Sequence, residues 1–448
     1  MLSLDESLAA AQRLVERAIS AGSDAADVLC SRQESASVQV RLGELEQVGR
    51  SEGEEIGLRL FVGARSVSVA SSDLSDEALG ELVRRALAMA AEAPEDPYAG
   101  LAPAELLTSA PFPELDSLDW VEPDLEDLRR RALDAEAAAL AVEGVTNSSG
   151  GSAGASRSIV ALATSGGFAG AYSASGFSCS VAVVAGEGAA KQRDSAWHSA
   201  RHLADLDPAE EIGRLAGERA VSRLRPVRPK SGSIPVLFDP RVSSSLLAHL
   251  AGAISGSSVA RKSSFLQDRL DSRIFPENVV IVDDPLRLRG LRSRPFDGEG
   301  LAVERVEIVA DGVLRTWMAD SASARQLGIA PTGHASRGVG SAPGVSPSNL
   351  YMAAGKRSRA ELLAAFPKAL LVTELIGQGA NPVTGDYSRG AAGFLVSGGE
   401  IGPPVEEITI ASNLIDMFAT VEPGSDLEFR RGIDAPTILI PRMTVGTA

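Results

Sequence analysis

The sequence predicts an α+β fold, in which N-terminal units of helix and antiparallel sheet precede a strand-rich C-terminal domain built on a mixed or antiparallel sheet. Two patterns carry this reading. In the first half, helices with one apolar face bracket runs of alternating apolar and polar residues. In the second half, strand-like segments follow one another without the regular helical crossovers of a parallel sheet. The first helix opens at Ser3, Leu4, Asp5 and Glu6, a capping box in which Ser3 bonds the third amide and Glu6 reaches back. Leu8, Ala11, Val15 and Ile19 follow at helical spacing, and Gly22 is the expected stop. The segments SVQVRL, EEIGLRLFV and SVSVA then alternate, with Gly43, Gly53 and Gly63 at turn positions, which predicts an antiparallel meander. Ser75 caps a second helix whose Leu79, Leu82, Val83, Ala86 and Met89 share a face.

Pro94, Pro97, Pro103, Pro111 and Pro113 interrupt regular structure and mark a boundary. A first unit over 1–105 is therefore followed by a second over 112–225, with a helix from about Pro123 to Val142, strands around SIVALATS, GFAGAYSAS and FSCSVAVVAG, and a helix from Asp207 to Arg225. A short linker at Pro226 to Gly232 leads into a third unit, 231–448. There Ile234 to Phe238 reads as a buried strand and Val242 to Ile254 as a helix. VVIVDD, RVEIVADGVLRTWMA, KALLVTEL, GFLVSGGEIGPPVEEITIA and TILIPRMTV supply further strands.

Composition excludes several functions. Lys and Arg number 43 against 59 Asp and Glu, a net charge of −16, which disfavours a surface that tracks phosphates. Aromatic residues, at 4%, offer few platforms on which bases could stack. No apolar run is long enough to cross a bilayer, and MLSLDESLAA has no basic segment ahead of an apolar one, so a cytoplasmic protein is expected. Cys30 and Cys179 stand far apart without a CxxC neighbour, as small buried hydrophobes would.

Among the chemical motifs, His198 and His202 have the spacing that sets two imidazoles on one helical face. Ser199, however, replaces the glutamate that a zinc peptidase needs as general base, so a hydrogen-bonded or solvated pair is expected. Asp283 and Asp284 precede Pro285 at the end of a strand and read as turn chemistry. No GxSxG elbow is present; GVGSAPG and AAGKRS miss the dinucleotide and phosphate-loop patterns. The segment GQGANPVTGDYSR, Gly377 to Arg389, is different, because its glycines let the backbone fold tightly while Asn381, Thr384, Asp386, Tyr387, Ser388 and Arg389 crowd donors and acceptors together. It reads either as a recognition surface or as a turn whose polar groups satisfy one another. Gly398 and Gly399 then turn a hairpin, with Pro403 and Pro404 blunting one strand.

TELIGQGANPVTGDYSRGAAGF followed by GEIGPPVEEITIASNL closely resembles the C-terminal signature of the TldD/PmbA metallopeptidase family, in particular its PmbA (TldE) branch. RPFDGEG, SARQLG, TGHASRG and PSNLY match in the same order, and the resemblance spans the chain by layout. His334 departs from an expected Asn and Ser412 from an expected Gly. In that family the TldD branch carries HExxxH on the first helix of the C-terminal domain. The resemblance places Ala248, His249 and Ala253 at the three motif positions, so no metal ligand set remains.

The resemblance implies a chain without its own catalytic site or metal, paired as a heterodimer with a TldD-like zinc-bearing subunit. Together they would enclose a chamber for peptide or other amide-containing substrates, bound as an added strand, for proteolysis or peptide maturation. It further implies that Asn381, Thr384, Gly385, Asp386, Tyr387, Ser388 and Arg389 face the chamber or the partner. The alternatives are a self-sufficient peptide or amide hydrolase, using His198 and His202 or the Asp386, Tyr387 and Ser388 group, and a homo-oligomeric peptide-binding protein.

Overall fold

A computed structural model describes residues 3–447. Ser3 accepts a hydrogen bond from the Glu6 amide and its own amide donates to the Glu6 carboxylate, so α1 (Leu4–Ser20) starts at the expected capping box. Strands β1 (Ala25–Arg41), β2 (Glu44–Val62) and β3 (Arg65–Ser71) form the expected antiparallel meander, and Ser75 caps α2 (Asp76–Glu92). Gly53 is not at a turn. It lies inside β2 opposite Gln33, and only Gly43 and Gly63 turn the chain. After α3 (Leu125–Leu140), capped by Asp124, come β4 (Val145–Thr164), β5 (Ala169–Ala185), β6 (Gln192–Ala200) and α4 (Ala209–Ser222). GFAGAYSAS and FSCSVAVVAG make one strand, β5, because the interposed glycine stays in register with Ser156 of β4.

These six strands form one antiparallel sheet in the order β3-β2-β1-β4-β5-β6. The β1–β4 seam, from Asp27 opposite Thr164 to Val40 opposite Gly151, joins the meander to the later strands. Strand alternation then divides the labour between faces. Val28, Cys30, Ile56, Leu58 and Leu60 lie under α1 and α2, while Val38 and Val40 lie under α3. The opposite face presents Leu29 and Leu162, with Phe168, to Phe296 of the third unit.

The third unit begins with β7 (Gly232–Phe238), α5 (Pro240–Ala253) and α6 (Gly256–Ala260). It continues through β8 (Ile281–Asp283), β9 (Val306–Ala310), β10 (Val313–Leu314), α7 (Ser321–Leu327), β11 (Ala335–Ser336), β12 (Gly344–Val345), β13 (Leu350–Met352) and α8 (Arg359–Leu363). It ends with β14 (Lys368–Ile376), β15 (Asp386–Ser397), β16 (Glu400–Asn413), α9 (Leu414–Thr420), β17 (Glu422–Pro423), β18 (Ile433–Asp434) and β19 (Ile438–Thr447).

The larger sheet runs β16-β15-β14-β7-β19-β17 and is mixed, with β7 parallel to β14 and antiparallel to β19. Residues 408–411 of β16 also pair with 444–447 of β19, which closes five strands into a ring. Pro403 and Pro404 sit on the stretch of β16 that has no β19 neighbour, where a missing N–H costs the ladder nothing. Val236, Phe238, Leu370 and Val372 face α5, which adds Leu246, Leu247 and Leu250 to the main core, while Leu237, Leu371 and Leu439 pack on α8. Each such leucine contributes about 1.5–3 kcal/mol on burial. The α+β class is as the sequence predicts. No helix among the described residues is long and apolar enough to cross a membrane.

Candidate functional site

Asp239 caps α5 by accepting from the Arg241 amide at 3.0 Å, with Pro240 at the first helical position, and so fixes where the helix presents its later turns. Ala248 is exposed, Ala253 is buried and His249 is half-buried. The His249 ring meets the edge of Tyr387 on β15, with ring centroids 5.9 Å apart, and its Nε2 is buried with no hydrogen-bond partner in the protein. Burial, helped by the Arg389 guanidinium, lowers the imidazole pKa and keeps the ring neutral. Tyr387 is 1% exposed; its hydroxyl makes no well-aligned hydrogen bond, and burial pushes its pKa up to about 12 against the opposing pull of the nearby Arg389 guanidinium.

A single imidazole beside two methyl groups cannot make a tetrahedral zinc site, which takes three or four protein donors. Zinc does not fit these residues. Among the described residues, no three His, Cys, Asp or Glu side chains are grouped so as to hold a metal ion.

Beside this helix, residues 377–385 form a loop and Asp386 to Arg389 begin β15. Asn381 Oδ1 accepts from the amides of Val383 and Thr384, at 2.9 and 3.3 Å. The Thr384 hydroxyl donates to Asp386 at 2.7 Å, and Asn413 Nδ2 donates to the Thr384 carbonyl and to Asp386. These bonds hold the Asp386 carboxyl below its usual pKa. Backbone bonds from Asn381 to Asp386, Gly385 to Asn381 and Ser388 to Gly379 lace the loop to its strand. A Cβ on Gly379 would collide with the Ser388 carbonyl, so this lacing requires glycine there.

The polar groups of the loop thus largely satisfy one another, yet its rim is open. Asn381, Thr384, Asp386 and Ser388 are exposed, Arg389 is half-buried, and Gly385 and Tyr387 are turned inward. Both flanks of Asp386 to Ala391 are already occupied, on one side by β16 and on the other by β14 or the start of the loop, which leaves no edge for an added strand along this stretch. What this face offers is a stiff, exposed rim rather than acid–base machinery.

The histidine pair is not helical. His198 lies on β6, where its Nδ1 accepts from the Asp207 amide at 3.0 Å, and His202 follows the strand with its Nε2 at 2.9 Å from the Asp116 carbonyl oxygen. The alternation of a strand therefore overrides the i, i+4 spacing, and hydrogen bonding accounts for both rings. Asp284 does serve a turn, accepting from the Leu286 amide, but Asp283 is buried and accepts from both the amide and the hydroxyl of Ser348.

The remaining quoted motifs converge elsewhere, at the junction of the six-stranded sheet with the third unit. Asp27 and Arg59 stand opposite each other on β1 and β2, and Arg59 Nε donates to the buried carboxylate at 3.0 Å. Arg337 of TGHASRG adds a second guanidinium to Asp27. Glu299 of RPFDGEG accepts from the Ser321 amide at 2.8 Å and lies 3.8 Å from Arg59. Asp297 receives the amides of Glu299, Leu301 and Ala335, and His334 lies 2.8 Å from Thr332 and 3.4 Å from Asp283. Gly57 lets β2 approach Val339 so closely that a Cβ would strike its carbonyl.

Burial alone would raise the Asp27 pKa, but Arg59 and Arg337 outweigh it and hold the carboxyl below its ordinary value. Burial and the neighbouring Asp297 instead push Glu299 up to about 7. Sequence reasoning missed this junction. The available signal was a charged residue inside each of two apolar runs, DVLC and GLRLFV.

Sequence comparison extends the likeness over the chain. Descriptions of the PmbA/TldA metallopeptidase family match as domain 1 at residues 26–90, central domain at 119–224 and C-terminal domain at 231–447. A protein named Metalloprotease PmbA from Escherichia coli O157:H7 is 38% identical over 97% of each chain. A solved structure from Bacteroides thetaiotaomicron superposes with a TM-score of 0.92 at 26% identity, covering all of both chains. TldE from Thermococcus kodakarensis, at 19% identity, covers 98% of this chain and all of its own with a TM-score of 0.86, a likeness of fold.

Proposed function

The chain belongs to the PmbA/TldD metallopeptidase family, and from that premise we propose that it is a metal-free subunit, working in the cytoplasm with a TldD-like partner that carries the zinc. One observation carries the reading. On α5, the helix where the resemblance places the zinc motif, the positions held by Ala248 and Ala253 offer only methyl groups, and His249 turns its Nε2 into the protein. A family scaffold preserved over the chain with its metal ligands replaced is what a structural partner of a catalytic subunit requires. In this reading the partner supplies metal and water activation. This chain supplies a wall of the substrate chamber, with the stiff rim at Asn381, Thr384, Asp386 and Ser388 meeting the partner or the peptide. The rim's internal bonds support that role, because a preorganised loop loses little entropy on docking.

The test is metal analysis and peptidase assay of the purified chain, alone and mixed with a TldD-like chain containing HExxxH. The expected outcome is no stoichiometric zinc and no turnover alone, with turnover and co-elution in the mixture. Stoichiometric zinc together with peptide cleavage by the lone chain refutes the proposal.

A further inference from the structure

Between β6 and α4 on one side and the start of α5 with residues 426–435 on the other lies a cleft of about 740 Å³. Its walls carry eight arginines and eight carboxylates, so its formal charge balances. The pairing is nevertheless uneven. Arg241 bonds Asp194 at 3.1 Å, Arg359 bonds Asp239 at 2.7 Å, Arg223 pairs with Glu374 and Arg430 with Asp207. Arg219 and Arg431 have no carboxylate partner among the described residues. Arg219 makes one hydrogen bond, to the Ser195 carbonyl at 3.1 Å, and Arg431 makes two, both through one nitrogen, to the carbonyls of Pro240 and Arg241.

A guanidinium has five N–H donors, so most of theirs find no acceptor in the protein. None of these nitrogens is sealed in the interior without a partner, so the spare donors open into the cleft. Burial pushes the Arg219 pKa down to about 10, with Arg241 adding to the effect and Asp194 and Asp239 opposing it. Asp434, the nearest candidate counter-ion to Arg431, is engaged instead by the amides of Arg430, Arg431 and Gly432. Trp197, 44% exposed, stands 5.3 Å from the Arg431 guanidinium and adds an apolar plane beside the open donors.

We propose that Arg219 and Arg431 form a receptor for one carboxylate of a peptide, either its C-terminus or an acidic side chain, with Trp197 beside it. A planar guanidinium fork matches a carboxylate in two parallel hydrogen bonds. Two guanidiniums with spare donors, in a cleft whose arginines and carboxylates are equal in number, suit a monoanion, whereas a phosphate dianion would be repelled more strongly by the surrounding carboxylates. The inference goes beyond the subunit assignment and does not depend on it, because no residue of the 377–389 loop or of the altered metal motif lines the cleft.

The experiment is calorimetric titration of the full-length chain with three blocked dipeptides, acetyl-Gly-Phe as free acid, its amide, and acetyl-Asp-Phe-amide. Saturable binding of the free acid or of the Asp probe, and none of the neutral amide, is expected, and the two acidic probes separate C-terminal from side-chain recognition. Arg219→Gln and Arg431→Gln should each weaken binding about tenfold or more, while Arg84→Gln on exposed α2 leaves it unchanged. Equal binding of acid and amide, absence of saturable binding, stronger competition by inorganic phosphate at matched ionic strength, or retained affinity in both folded variants overturns the proposal. Should Arg219→Gln fail to fold, the acid-against-amide comparison on the unaltered chain decides alone.

Discussion

Two polar regions of the third unit differ in what their side chains are bound to. At the junction with the six-stranded sheet, Asp27, Arg59, Arg337 and Glu299 are buried and linked by ion pairs across residues far apart in the chain, although Arg337 Nε and Nη2 meet no partner. At the α5 face, His249 Nε2 and the Tyr387 hydroxyl are also shielded, yet neither meets a hydrogen-bond partner, and the neighbouring loop is bonded mainly within itself, to Asn413 and to the amides of Leu414 and Phe265. The first region is an architectural clamp. The second holds buried polar atoms that the fold leaves unpaired. The comparison teaches that a dense sequence motif marks a demanding environment, which can be a junction as readily as a reaction centre.

The contrast is broken most severely by removing the shared carboxylate of the clamp. Asp27→Ala leaves the buried Arg337 guanidinium without a counter-ion and Arg59 with only Glu299, 3.8 Å away, and is expected to cost roughly 3–5 kcal/mol in denaturant unfolding. A loss below about 1 kcal/mol would show that the clamp is solvated.

Next in size is the pH response of Glu299. Its folded pKa of about 7 exceeds the ordinary 4.5, so between these values the folded chain binds more protons than the unfolded one. Its contribution to stability is full below pH 4.5 and is lost as pH rises through 7, by roughly 3–3.5 kcal/mol. Glu299→Gln should flatten that part of the stability profile, and an unchanged slope would assign it elsewhere. Asp27 acts in the opposite sense, its stability being lost only as pH falls below its ordinary 3.8.

The α5 face predicts smaller effects, the first of them of the other sign. Tyr387→Phe deletes a buried hydroxyl that has no partner, so the variant should be as stable as the parent or more stable by about 1 kcal/mol. A loss of that size would reveal a partner for the hydroxyl. Smallest is Thr384→Val, which removes the bond to Asp386 and should cost about 0.5–1.5 kcal/mol, with the Asp386 pKa rising toward its ordinary value when followed by NMR titration.

Much of the fold was legible because its signals are local. Ser3, Ser75 and Asp239 cap helices through bonds that span a few residues, and the meander strands alternate over long stretches. What was hidden depends on distant partners. The spacing of His198 and His202 suggests a helical face, and only pairing with β5 makes Gln192–Ala200 a strand. Gly53 reads as a turn because nothing in its neighbourhood announces that Gln33 lies opposite. Within the candidate site, the residue types at Ala248, His249 and Ala253 were visible, and the bonds within the 377–389 loop agree with its reading as a turn whose polar groups satisfy one another. The inward turn of Tyr387 follows from strand alternation beginning at Asp386, a register the sequence leaves open.

The ring of strands has a practical corollary for handling the protein. Its last ten described residues supply the neighbour of β7, the seam to β16 and the partner of β17, so truncation there would unzip three ladders at once and bare sticky main-chain borders. Purification handles therefore belong at the start of the polypeptide, before Ser3, where the first helix is held by its own cap.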